Sequence, residues 1–120
     1  MERSSGCVNM RWILLALLLG LPGPAFAQMV TLDVKTVTTG GAAVTAIAAG
    51  NRNNGGWIQN PSTATVPLCI NELGTASGTS SSGDTTCIAP GQTYNLLPSG
   101  KAVSVVSSDS AHPFSGYAFR

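Results

Sequence analysis

The sequence predicts an all-β domain: a small antiparallel β-sandwich or barrel of seven to eight short strands, preceded by a signal-peptide helix. Three observations carry this expectation. Short apolar stretches recur roughly every 8 to 12 residues, with Gly, Pro, Asn or Ser turns between them. After residue 27 no amphipathic stretch reaches helix length. The clearest alternation has period two, with Val30, Leu32 and Val34 against Thr31, Asp33 and Lys35. No segment repeats at a fixed period, which removes a solenoid.

The elements follow in order. Residues 30–35 read as the first strand, with Asp33 facing solvent. Gly40-Gly41 breaks it, and residues 42–49 read as a strand despite their alanines, because Val44, Thr45 and Ile47 are β-branched and glycines flank the stretch. Asn51 to Gly56 is a turn built from residues that tolerate positive φ, and Trp57 to Asn60 is the next strand. Val66, Leu68 and Ile70 then alternate with Pro67, Cys69 and Asn71, which places Cys69 opposite the aliphatic face; Pro67 argues for an edge strand or a bulge. Residues 74–84 (GTASGTSSSGD) form a polar, low-complexity loop with nothing to bury, expected to be flexible. Pro90-Gly91 and Pro98-Ser99-Gly100 bracket a strand at 93–97 and introduce another at 102–106. Ser107 to Pro113 reads as a polar turn before a last strand, 114–119, whose free edge is available to another chain. On it Tyr117 and Phe119 share a face and Phe114 takes the other.

Residues 1–27 have the three parts of a signal peptide in order. Arg3 and Arg11 form a basic region, Trp12 to Leu21 an apolar run, and Ala25-Phe26-Ala27 a small-x-small cleavage site. Ten apolar residues in a helix span only about 15 Å, half of a hydrocarbon core of about 30 Å. The expected product is therefore a single domain, residues 28–120, exported to the periplasm or to the extracellular space or cell surface, with no stable membrane insertion after cleavage. Cys7 precedes the apolar run and so is not a lipoprotein cysteine. In an oxidising compartment Cys69 and Cys87 are expected to pair, a cross-link worth about 3 kcal/mol to so small a domain. Two cysteines and one histidine are too few for a structural zinc site, and Cys-x-x-Cys spacing is absent.

Composition limits function. The 120 residues hold 6 Lys and Arg against 5 Asp and Glu, and only 9% are charged. Beyond the leader the bases reduce to Lys35, Arg52, Lys101 and Arg120, balanced by Asp33, Glu72, Asp84 and Asp109. That balance argues against a nucleic-acid partner, which demands clustered cations. No Lys-Ser/Thr follows Gly40-Gly41 or Gly55-Gly56, so neither is a phosphate loop. The carboxylates are scattered and lack calcium-loop spacing; Glu72 and Asp84, flanking the polar loop, offer at most a weak Ca²⁺ site. No cofactor or metal is expected. His112 with Asp109 and an unidentified serine is the one candidate catalytic set, that of a small secreted hydrolase, but no Gly-x-Ser-x-Gly elbow accompanies it. Five aromatics remain, Trp57, Tyr94, Phe114, Tyr117 and Phe119. Trp57 and Tyr117 are the candidate binding residues, set against the alternative that all five fill the core.

Several pieces, in this order, resemble small β-rich domains of bacteriophage and prophage structural proteins. They are Asn51-Arg52 before Trp57-Ile58-Gln59-Asn60-Pro61-Ser62, Ile70 to Ala76 (INELGTA), Ile88 to Tyr94 (IAPGQTY) and Ala102 to Val106. The likeness covers about residues 41–120. It implies a noncatalytic domain acting in assembly or surface binding, with protein self-assembly or a cell-surface or carbohydrate partner, and it implies no active site. The export signal and the cysteine pair depart from that family, whose virion proteins assemble inside the cell.

Overall fold

The computed structural model describes residues 26–78, 81 and 83–120. The expected leader lies outside the described residues apart from Phe26 and Ala27, as does part of the 74–84 loop. The described residues are all-β, with ten strands in the order β1 (Met29–Thr31), β2 (Thr36–Val37), β3 (Val44–Ile47), β4 (Gly56–Gln59), β5 (Leu68–Asn71), β6 (Thr85–Ile88), β7 (Thr93–Leu96), β8 (Val103–Ser107), β9 (His112–Pro113) and β10 (Ser115–Phe119). Two four-stranded antiparallel sheets, β1-β10-β4-β7 and β3-β8-β5-β6, are accompanied by a two-stranded β2-β9 ribbon.

Alternation supplies the core. Ile58, Leu96 and Ala118 of the first sheet and Ile47, Leu68, Ile70, Ile88, Val103 and Val105 of the second meet in one buried cluster, with Val37 and Phe114 from the ribbon and its exit and half-buried Val30 packed against it. This is the sandwich solution: each sheet turns one apolar face inward. Of the ladders, only β5-β6 joins strands consecutive in sequence. Every other ladder pairs strands from distant parts of the chain, so the fold is dominated by non-local contacts.

The two strands beyond the expected number have a common origin. The chain leaves the first sheet after Thr31, so that β1 takes only Val30 and Thr31 of the alternating segment 30–35, and beyond that segment it enters the ribbon at Thr36, the start of β2. Asp33 lies in the bend between them, exposed, where its Oδ2 accepts the Ala48 N–H at 2.6 Å. β2 pairs with His112-Pro113, the end of the segment read as a polar turn. Two further expectations are corrected. β5 begins one residue after Pro67 and is an interior strand between β8 and β6, so the proline neither forms an edge nor interrupts a ladder. β10 is also interior, flanked by β1 and β4, and offers no free edge. Its neighbour β1 is tied at the start of the domain, where Gln28 and Arg120 exchange N–H···O=C bonds of 2.9 and 2.7 Å.

The turn into β4 demands a glycine. Gly55 has φ +85°, and a Cβ there would lie 2.8 Å from the Leu96 carbonyl oxygen. An L-residue would be strained by both backbone and neighbour.

Candidate binding face and buried polar network

The register of the first sheet decides which side chains face outward. Thr31, Tyr117, Trp57 and Asn95 are cross-strand partners on β1, β10, β4 and β7, and so form one row across the sheet. Met29 pairs with Phe119 on one side of this row, and Ser115, Gln59 and Thr93 pair on the other. Inward-facing Val30, Gly116, Ala118, Ile58 and Leu96 alternate with them. The outer face therefore carries Met29, 62% exposed, beside Tyr117, 36% exposed, with half-buried Trp57 and Phe119. Trp57 and Tyr117 meet edge to face, centroids 5.6 Å apart and planes 63° to one another. Such a pair is a preferred aromatic geometry. The two sequence-singled aromatics are thus brought together as a T rather than as a coplanar platform. Phe114, in contrast, is core, and half-buried Tyr94 packs against the core cluster.

A second arrangement escaped the sequence reading. Arg52, in the turn before β4, is 1% exposed. Its Nη1 donates to Glu72 Oε2 at 2.6 Å and to the Leu97 carbonyl, its Nη2 to the Glu72 carbonyl at 2.8 Å, and its Nε to the Lys101 carbonyl at 2.9 Å. Glu72 also accepts from the Leu97 N–H at 3.0 Å and, through Oε1, from the Tyr94 hydroxyl at 2.8 Å. Burial raises the Tyr94 pKa above 10.0, and the Glu72 carboxylate, as acceptor and as charge, raises it further. The network ties the turn before β4 and the end of β7, both in the first sheet, to the end of β5 in the second. Arg52 and Glu72 are 20 residues apart, so no helical or turn spacing announces them. Glu72 is a buried ion-pair partner here, where the sequence offered it as a loop-flanking carboxylate. A cavity of about 400 Å³ is lined by the pair together with Leu73, Asp84, Thr86 and Leu97.

His112 corrects the sequence reading. It is 4% exposed, in β9 rather than on an open turn. The preceding Ala111 takes a φ of 56°, unusual for a residue with a Cβ. Asn60 Nδ2 donates to the Val66 and Ile88 carbonyls at 3.0 and 3.1 Å, so its Oδ1 faces His112 Nε2 at 2.9 Å. That oxygen can only accept, so the neutral imidazole carries its proton on Nε2. Burial lowers the His112 pKa below 6.5, opposed by the nearby Asp109 charge. Asp109 itself accepts from Thr65 Oγ1 at 3.1 Å. The side-chain hydrogen bonds of His112 and Asp109 therefore lead to Asn60 and Thr65, and the serine nearest in contact, Ser107, only accepts the Asp109 backbone N–H through its Oγ at 3.4 Å.

Cys69 and Cys87 are bonded to one another as direct cross-strand partners. The bond is consistent with an oxidising, exported environment. Cys69, Val106 and Ala76 form a small buried cluster on the outer side of the second sheet, the face opposite Leu68 and Ile70. The 74–84 loop does bury something: Ala76 is covered, and its N–H donates to Ser104 Oγ at 3.0 Å. Asn71 Oδ1 accepts the Leu73 and Gly74 N–H groups at 2.8 Å each, and Ser81 Oγ accepts the Cys87 N–H at 2.9 Å. Among the described residues no group of three or more His, Cys, Asp or Glu is placed to hold a metal ion, and no helix is long and apolar enough to cross a membrane. No family model, curated protein or solved structure matches the chain.

Proposed function

We propose that this chain is an exported, noncatalytic β domain that binds a partner in the cell envelope or on the cell surface through the outer face of the β1-β10-β4-β7 sheet. The observation that carries the reading is the Trp57–Tyr117 pair, held cross-strand on that face with Tyr117 exposed and Trp57 half-buried. Aromatic side chains with a polar tip are enriched at interaction hot spots because they bury much area at little entropic cost. Here the sheet fixes both rings in place before any partner arrives. The leader motif, the Cys69–Cys87 bond and the scarcity of ionisable groups support export and a binding role, as does the likeness to phage structural domains.

The test is cosedimentation of the exported protein with envelope material from the producing cells, comparing wild type with Trp57→Ala/Tyr117→Ala. The wild-type protein is expected in the pellet and the doubly substituted protein in the supernatant, with both showing the same far-ultraviolet circular dichroism. Equal recovery of the two folded proteins in the pellet contradicts the reading.

A further inference from the structure

We infer that the occupant of this face is an uncharged hexopyranose chain, lying across the strands along the Thr31–Tyr117–Trp57–Asn95 row. The inference rests on the binding role proposed above and adds the ligand class. Its first support is charge. The four strands read MVT, SGYAF, GWIQ and TYNL, without one Asp, Glu, Lys or Arg. A charged ligand would give up its hydration at this face and meet no counter-charge.

The second support is the chemistry of the row. Its centre is two aromatic rings and its ends are a hydroxyl and a carboxamide, with the Ser115, Gln59 and Thr93 line beside it. A pyranose has the complementary pattern, a ring face of C–H groups and a rim of hydroxyls. Its C–H face meets the electron-rich face of an aromatic ring, and its hydroxyls both donate and accept, as carboxamides and hydroxyls do. Since Trp57 and Tyr117 are set at 63°, one ring lies flat against a sugar while the other closes its side.

The third support is size, which argues against a second copy of this chain. Four strands about 4.8 Å apart and about five residues long at about 3.4 Å per residue give a face of roughly 300 Å². A stable protein interface takes about 800 Å² of accessible surface from each partner, so a second copy would have to spread past the sheet onto its flanking turns. A short oligosaccharide fills the smaller area.

Trp57 supplies the readout, because the other tryptophan, Trp12, lies in the expected leader. The exported protein is titrated with cellohexaose, maltohexaose and chitohexaose, following Trp57 fluorescence, with polygalacturonate as the charged counterpart. Calorimetry repeats the titrations on the variants. At least one neutral hexasaccharide is expected to saturate the signal with a Kd at or below about 1 mM. Salt should leave that Kd unchanged, and Tyr117→Ala and Asn95→Ala should each weaken it, Tyr117→Ala by at least tenfold. Absence of saturation by all three overturns the inference, as does tighter, salt-sensitive binding of polygalacturonate. A concentration-dependent dimer that Trp57→Ala/Tyr117→Ala abolishes also overturns it, in favour of a second copy. In each of these cases, envelope binding lost in Trp57→Ala/Tyr117→Ala leaves the face as the recognition surface and removes only the ligand class. Undiminished envelope binding by that double variant removes the binding role itself.

Discussion

The two sheets share one core but treat their outer faces in opposite ways. On the β3-β8-β5-β6 sheet the outward side chains are small, and the disulfide, Val106 and the Ala76 loop cover those of β5 and β8, while Thr45 on β3 stays exposed. On the β1-β10-β4-β7 sheet the outward side chains include Met29, Tyr117, Trp57 and Phe119, and among the described residues no loop is bonded over them in the same way. A small domain with few large residues gains most by putting them in its core. Under the proposed function, placing Met29, Tyr117, Trp57 and Phe119 on one outer face, with alanine, cysteine and valine packed on the other, gives stability to the second sheet and recognition to the first.

The strongest way to break this division is to cut what joins the sheets. Arg52→Ala leaves the Glu72 carboxylate buried without its cation, and loss of one partner of a buried ion pair costs about 3–5 kcal/mol. Urea unfolding should show a loss of that size. A loss under about 1 kcal/mol would mean the network is as dispensable as a surface pair. Next comes the covered face itself. Replacing Cys69 and Cys87 together by alanine releases a loop constraint worth about 3 kcal/mol, while the affinity of the open face stays unchanged. A variant that keeps its stability but loses binding would reverse the assignment of roles.

The Asn60–His112 contact is a smaller lever. Asn60→Ala strands two carbonyls and the His112 N–H, a cost of about 1–3 kcal/mol. Because the folded His112 pKa lies below 6.5, the unfolded chain binds more protons as the pH drops through that value. The stabilising contribution is complete above pH 6.5 and is lost as pH falls toward the folded pKa. Thermal midpoints across this range should fall on acidification in the wild type and fall less in His112→Gln. Equal slopes would sink the linkage. The smallest effect on stability belongs to Tyr117→Ala, which loses an aromatic pair worth about 0.5–1.5 kcal/mol while impairing binding most.

The contrast between the faces was only half legible in the sequence. Alternation located β5, while turn residues and β-branched content located β3, β4, β7, β8 and β10; alternation also placed Cys69 opposite Leu68 and Ile70 and separated Phe114 from Tyr117, because a period of two sorts side chains before any partner strand is known. It could not say which strands are neighbours. The pairing of Tyr117 with Trp57 across 60 residues of chain, and the burial of β10 between β1 and β4, follow from topology alone. Arg52 and His112 were hidden for a related reason: each sits in a polar, turn-like segment. Arg52 becomes core only through Glu72 and the carbonyls of Leu97 and Lys101, and His112 only through Asn60, all from distant segments. The Ala76 anchor was concealed by its surroundings, since one buried alanine does not mark a loop of serines, threonines and glycines.

The most direct measurement of the division of roles is oxidative footprinting of the exported protein, free and bound to envelope material. Met29, Trp57, Tyr117 and Phe119 should lose labelling on binding, while Leu73 and Leu97 at the Arg52–Glu72 cavity keep theirs. Protection of Leu73 and Leu97 with Trp57 and Tyr117 still labelled would contradict the account and move recognition to that cavity.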